Sequence, residues 1–363
     1  MKRTILSFMT VLLLAVTAAA QETHFLPGHL AVLRAGDGAV DLKLKQAPLF
    51  VDQFDPATLN ITPSFSVRIP TNGSASFFFN GHAATEGTLT RSADHKLLAF
   101  AGYGGADLLQ VNGTASRIGL QHGICTVDAT GTVHSWLYNS DPSNTKMNPR
   151  GVATDGTNNF WGCGNAYGTF YFNPTGHEDP VRFRAMPNSR AIKIINNTLY
   201  ASMNAADAEV NDQSAGIYRF FPQALPHQAG AASELAVPAA AEYGNVVSFD
   251  MDSGGDTAYM ADTTAGIQKY VKSNGAWKLA YNFSIPQNIP AESNHGTGCF
   301  GLVVDFNGTA PVIYATTTEG YGGSVNSNRV VRIVDTGAAA TVATVAQAGS
   351  TNIVFRGIEF TPN

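Results

Sequence analysis

Val246-Val247-Ser248-Phe249-Asp250-Met251-Asp252-Ser253-Gly254-Gly255-Asp256-Thr257-Ala258-Tyr259-Met260-Ala261-Asp262 is the stretch that decides the fold. An apolar strand runs into a Ser-Gly-Gly turn, and a second strand leaves it, ending in an aromatic and small residues. The same hairpin recurs at residues 88–103 with Asp94-His95 at its turn, at 152–163 with Asp155-Gly156, at 192–203 with Asn196-Asn197 and at 302–317 with Asn307-Gly308. Asp, Asn and Gly tolerate positive φ, so such pairs between apolar runs mark hairpins.

A third strand follows each hairpin. It reads Gly123-Ile124-Cys125-Thr126-Val127, Gly216-Ile217-Tyr218-Arg219-Phe220 and Gly266-Ile267-Gln268-Lys269-Tyr270, with looser copies at Gly168 to Phe172 and Arg329 to Ile333. A fourth strand completes each unit, as at residues 133–138, 181–186 and 277–283. The period is two, so each strand buries one face. The chain ends in mid-unit: Phe355-Arg356-Gly357-Ile358-Glu359-Phe360 reads as a first strand whose partners are residues 29–34, 49–54 and 64–70 near the N-terminus. Pairing the two ends closes a ring and leaves no open edge. The expected fold is therefore all-β, a six-bladed β-propeller closed by its N- and C-terminal strands. Inner strands begin at Gly87, Gly151, Ala191, Val246, Gly301 and Gly357, spaced 40 to 64 residues apart. The uneven spacing leaves seven blades open.

Lys2, Arg3, the apolar run from Ile5 to Val16 and Ala18-Ala19-Ala20 have the pattern of a secretory signal peptide over residues 1–20, followed by one domain over 21–363. Cleavage there removes Lys2 and Arg3 and takes the formal charge from −5 to −7. An acidic chain with only 13% charged residues and 36 glycines fits a secreted, turn-rich β-protein, extracellular or periplasmic. It argues against nucleic acid as a partner, and against a membrane once the signal is cleaved. Cys125, Cys163 and Cys299 match no zinc spacing; they read as buried strand residues or as one disulfide plus a thiol. Asn60, Asn72, Asn112, Asn196, Asn282 and Asn307 open glycosylation sequons, which matter only in a eukaryotic host.

In a propeller, residues at the starts of the inner strands converge on one mouth of the central channel. Here these are Glu86, Arg150, Arg190, Asn245, Phe300 and Arg356, with Tyr103, Asn165, Tyr167, Asn204, Asp262, Glu319 and Tyr321 nearby. Arginine offers a planar fork of donors suited to carboxylate, sulfate or phosphate. Arg150, Arg190 and Arg356, with Asn245, Asp262 and Glu319, are the candidate ligand-binding set for an anionic, glycan-like ligand. The competing reading is that each arginine staples blades by pairing with an acid or a carbonyl. His295, in a Gly-rich loop, is a candidate general base for β-elimination from a uronate, with Tyr103 or Tyr167 as proton donor. Glu86 with Asp262 or Glu319 is a candidate carboxylate pair for glycoside hydrolysis.

The repeat units, and Tyr259-Met260-Ala261-Asp262 within them, resemble NHL-like and gluconolactonase-type six-bladed propellers. That resemblance implies a divalent metal held by acidic or amide residues at inner-strand starts, where Glu86 and Asn245 match and Arg150, Arg190 and Cys299-Phe300 depart. Metal-dependent lactonase activity is thus a minor alternative, and no cofactor or metal is expected. Tyr314-Ala315-Thr316-Thr317-Thr318-Glu319 also resembles secreted bacterial propeller proteins that carry no assigned activity. Two classes remain: a monomeric secreted propeller binding a glycan or a protein, and a carbohydrate-active enzyme, lyase before hydrolase.

Overall fold

A computed structural model describes residues 22–42, 46–81, 83, 85–105, 121–138, 148–165, 168–176, 179–183, 186, 188–204, 213–286, 297–319, 328–349 and 351–363. These form six antiparallel sheets arranged as the blades of a β-propeller, which removes the seven-blade alternative. Blade 1 is the predicted closure. Val354–Phe360 is its innermost strand, followed outward by Leu30–Ala35, Leu49–Phe54 and Phe65–Arg68. Blades 3 to 6 are four-stranded meanders whose inner strands are Pro149–Thr154, Ile192–Ile195, Val246–Met251 and Cys299–Asp305.

Blade 2 departs from the simple repeat. Its second strand, Leu97–Gly104, meets two short inner strands instead of one. Thr90 and Arg91 pair with Ala99 and Leu98, while Phe77 and Phe78 pair with Gly104 and Tyr103. The inner strand is thus interrupted by residues 81–89, which carry Glu86. Gln46 and Ala47 add a further short strand against Asn80 and Phe79. This insertion falls in the interval that closes the ring, between Gly357 and Gly87.

One buried face per strand was the expectation, but the inner and middle strands are buried on both faces, because each blade is packed between two neighbours. Six buried clusters each join one neighbouring pair of blades. Leu49 and Val51 meet Phe77 and Phe100; Tyr138 meets Phe160 and Phe170; Trp161 meets Ile192 and Leu199. Ile217 and Val237 meet Phe249 and Met260, Tyr259 and Phe283 meet Leu302 and Ile313, and Val303 and Tyr314 meet Leu30 and Phe355. Each fully buried side chain of this size contributes about 1.5–3 kcal/mol, so the ring is held mainly by these wedges. Cys125, Cys163 and Cys299 are buried, unbridged members of them, which settles the disulfide alternative.

Candidate functional site

The inner strands repeat one local device. Arg150 is an extra residue between Pro149 and Gly151, Val247 between Val246 and Ser248, and Phe300-Gly301 face the single Thr316. Arg356-Gly357 likewise face the single Leu33, and Arg190 and Ala191 both bond to Ser202. These are β-bulges, which bend a strand and re-aim a side chain. Small residues follow each bulged position: Gly151, Ala191, Ser248, Gly301 and Gly357. They let the inner strands close on one another. A Cβ on Gly357 would lie 2.2 Å from Leu89 N, and one on Gly301 would lie 2.7 Å from Arg356 O. The channel narrows to a neck here.

The bulged side chains gather over that neck. Arg190, Arg356, Val247, Phe300 and Glu86 line one pocket of about 20 Å³, room for about one water molecule. The Arg356 guanidinium lies 4.9 Å from the centre of the Phe300 ring. Arg150 reaches the same edge: its Nη1 donates to Asn188 Oδ1 at 2.5 Å and to the Ser189 carbonyl at 3.0 Å, next to Arg190. Arg150 and Arg356 are buried, whereas Arg190 is half-buried. Glu86 is fixed by the inserted segment, accepting from Asn80 N at 3.0 Å and from the Tyr103 hydroxyl at 2.8 Å.

The other expected residues divide. Asn245 is exposed and donates to Thr264 Oγ1 at 3.2 Å; Val247 occupies the bulge at this height in its blade. Asp262 is buried and caps the following turn, accepting from Thr264 N at 2.7 Å, Ala265 N at 3.0 Å and Asn245 N at 2.9 Å. Glu319 is buried in a two-bond fork with Arg329. Neither Asp262 nor Glu319 lines the neck pocket with Glu86. Of the two residues that match the resemblance's metal positions, Glu86 lines the neck pocket and Asn245 does not. Among the described residues no three His, Cys, Asp or Glu side chains cluster. His295, Tyr167 and Tyr321 lie outside the described residues.

His122 and Arg329 were not singled out from the sequence. The His122 ring packs 5.4 Å from Tyr103 and 6.2 Å from Tyr138, extending the buried line behind Glu86. The one cue was its place at the head of a third strand, just before Gly123-Ile124.

Below the neck the inner strands contribute a second ring. Thr90, Ala153, Lys193, Asp250, Val303 and Glu359 sit at matching register, opposite Ala99, Trp161, Tyr200, Tyr259, Tyr314 and Ala31. Lys193 Nζ lies 3.4 Å from Glu359 Oε2 and 3.6 Å from Asp250 Oδ2, so three blades meet in one ion triad. The triad floors a cavity of about 510 Å³ that opens at the hairpin-turn mouth.

The fold and the two-ended channel define the protein as a six-bladed β-propeller. No protein-family model matches the chain, and no curated protein sequence matches it. Among solved structures, the chain is similar to a chain of the nidogen/laminin complex, with a TM-score of 0.53 and 11% identity over 92% of this chain and 98% of that one. Hydrazine synthase from Kuenenia stuttgartiensis gives a TM-score of 0.42 at 13% identity, covering 72% of this chain and 66% of that one. An extracellular domain of a hybrid two-component system from B. thetaiotaomicron gives 0.39 at 13% identity, over 89% of this chain and 34% of that one. At these identities the likeness is one of fold. What is shared with NHL-like and gluconolactonase-type propellers is the six-bladed fold.

Proposed function

We propose that this is a secreted binding propeller which recognises a carboxylate- or sulfate-bearing glycan at the arginine mouth. The observation that carries the reading is the bulge ring, which delivers Arg190 and Arg356 into one pocket and sets Arg150 beside them. A pocket of about 20 Å³ accepts one anionic oxygen and not a sugar ring. The glycan would therefore rest across the mouth, with its acid group pointing down toward the guanidiniums. Tyr103 is fully buried and committed to Glu86, which supports a positioning role for that pair behind the pocket. Half-buried Arg190 is the group best placed to meet a ligand. Calorimetric titration with an oligogalacturonate tests the reading: wild type binds, and Arg190→Ala weakens binding at least ~10-fold, as expected for loss of a charge-assisted hydrogen bond. Absence of binding by wild type would rule it out.

A further inference from the structure

The cavity at the hairpin-turn mouth is separate from the arginine site, on the far side of the glycine-lined neck. Its volume of about 510 Å³ falls within the ~300–1,000 Å³ usual for small-molecule sites. We propose that it is a second binding site, for an ammonium-bearing polar ligand of about one sugar ring.

The donor and acceptor balance of the floor points to that chemistry. An ammonium has three donors and no acceptor, whereas an ionised carboxylate only accepts. Lys193 spends its donors inside the protein, on the Leu302 carbonyl at 3.3 Å and Glu359 Oε2 at 3.4 Å, with Asp250 beside it. Asp250 accepts from Met251 N at 3.0 Å and Val304 N at 2.9 Å, and Glu359 from Phe360 N at 2.9 Å. Two carboxylates to one ammonium leave the floor rich in acceptors and short of positive charge. At the rim, Asp305 and Arg91 add one charge of each sign. Arg91 is turned to the protein, with its guanidinium 5.8 Å from the Phe360 ring and Nη1 donating to Thr361 O at 3.4 Å. An anion would face the carboxylates, and an apolar ligand would shut water out from their remaining acceptor positions without supplying a donor. A ligand ammonium satisfies both needs. Asn196, Asn197 and Ser253 offer partners for hydroxyls, and Phe306 offers an apolar ring for a sugar face.

A triad that only staples three blades would bind nothing, so titration calorimetry separates the two roles. Glucosamine and glucose, which differ in one ammonium for hydroxyl, are titrated into wild type, Glu359→Gln, Ser253→Trp and Arg190→Ala. Ser253 is exposed on a turn at the cavity rim, so its replacement obstructs the opening without touching the triad. Wild type is expected to bind glucosamine at least ~10-fold more tightly than glucose, the size of one charge-assisted hydrogen bond. Glu359→Gln and Ser253→Trp each weaken glucosamine at least ~10-fold, and Arg190→Ala leaves it unchanged. The inference is overturned if wild type does not bind glucosamine, if glucose binds equally well, if Ser253→Trp binds normally, or if Arg190→Ala abolishes the binding. It stands or falls independently of the arginine mouth.

Discussion

Arg329 and Glu319 form a two-bond fork, Nε to Oε2 at 2.7 Å and Nη2 to Oε1 at 2.9 Å, and both side chains are buried. Arg329 also reaches the Pro286 carbonyl at 2.5 Å, tying blade 6 to the chain that leaves blade 5. Removing one partner of a buried pair strands the other charge, at a cost of about 3–5 kcal/mol. Arg329→Ala is expected to lower the free energy of unfolding in urea by that amount. Replacing both groups, as Glu319→Leu with Arg329→Met, should recover most of the loss.

Asp335 gathers Lys269, Tyr259 and Tyr281, with Lys269 Nζ at 2.6 Å. Burial alone would raise its carboxyl, but the hydrogen bonds from these three outweigh burial and hold it below the usual range. A depressed carboxylate stabilises the fold above its unfolded value, near ~3.9, and that contribution is lost as the pH falls through its folded value. Asp335→Asn is therefore expected to be less stable than wild type at pH 7, by about 2–4 kcal/mol for the charged hydrogen bonds lost. The gap should close in strong acid. Unfolding curves across pH measure it; a gap constant with pH would contradict the account.

In the channel triad the sign is opposite. Burial raises the Asp250 carboxyl and Glu359 adds to that, against the pull of Lys193. Burial alone would lower Lys193, yet Asp250 and Glu359 hold it above its ordinary value. Arg91, His95 and Asp305 also line this cavity. A raised carboxyl favours the folded state at low pH, and this advantage fades as pH climbs past the unfolded value. Asp250→Asn keeps a side-chain acceptor but cannot titrate. Its stability relative to wild type should rise as the pH is raised from about 4 to 7. An unchanging difference in thermal unfolding across that range would refute the assignment.

The thiols offer a test of the core. Burial pushes Cys163 up to about 12 and raises Cys125 and Cys299 further. Only the thiolate reacts readily, and only when reached. Ellman's reagent is expected to find no reactive thiol in the native protein and all three in denaturant without reductant. Fewer than three after unfolding would mean a bridge.

The hairpin turns made the fold readable, because Asp155-Gly156 and Asn196-Asn197 report local backbone conformation. The closure was readable because Phe355 to Phe360 lacked a partner in its own neighbourhood. The mouth was readable at five positions through the repeat itself. Asn245 was misplaced because Val246, which precedes the bulge, reads as the strand start, whereas Gly151, Ala191, Gly301 and Gly357 follow theirs; Val247 holds the equivalent position. The insertion of residues 81–89 was hidden, since Phe77 to Asn80 looks like any apolar strand. The triad escaped because Lys193, Asp250 and Glu359 are far apart in sequence and meet only once the ring closes.

The bulge arginines are proposed to bind an acidic glycan. The direct test is calorimetric titration of an oligogalacturonate, beside a neutral cello-oligosaccharide, into wild type and Arg190→Ala at low and high salt. The account predicts binding of the acidic oligomer alone, weakened by salt as charge pairs near a surface are, and reduced at least ~10-fold by Arg190→Ala. Equal binding of both oligomers, indifference to Arg190→Ala, or no binding by wild type would contradict it.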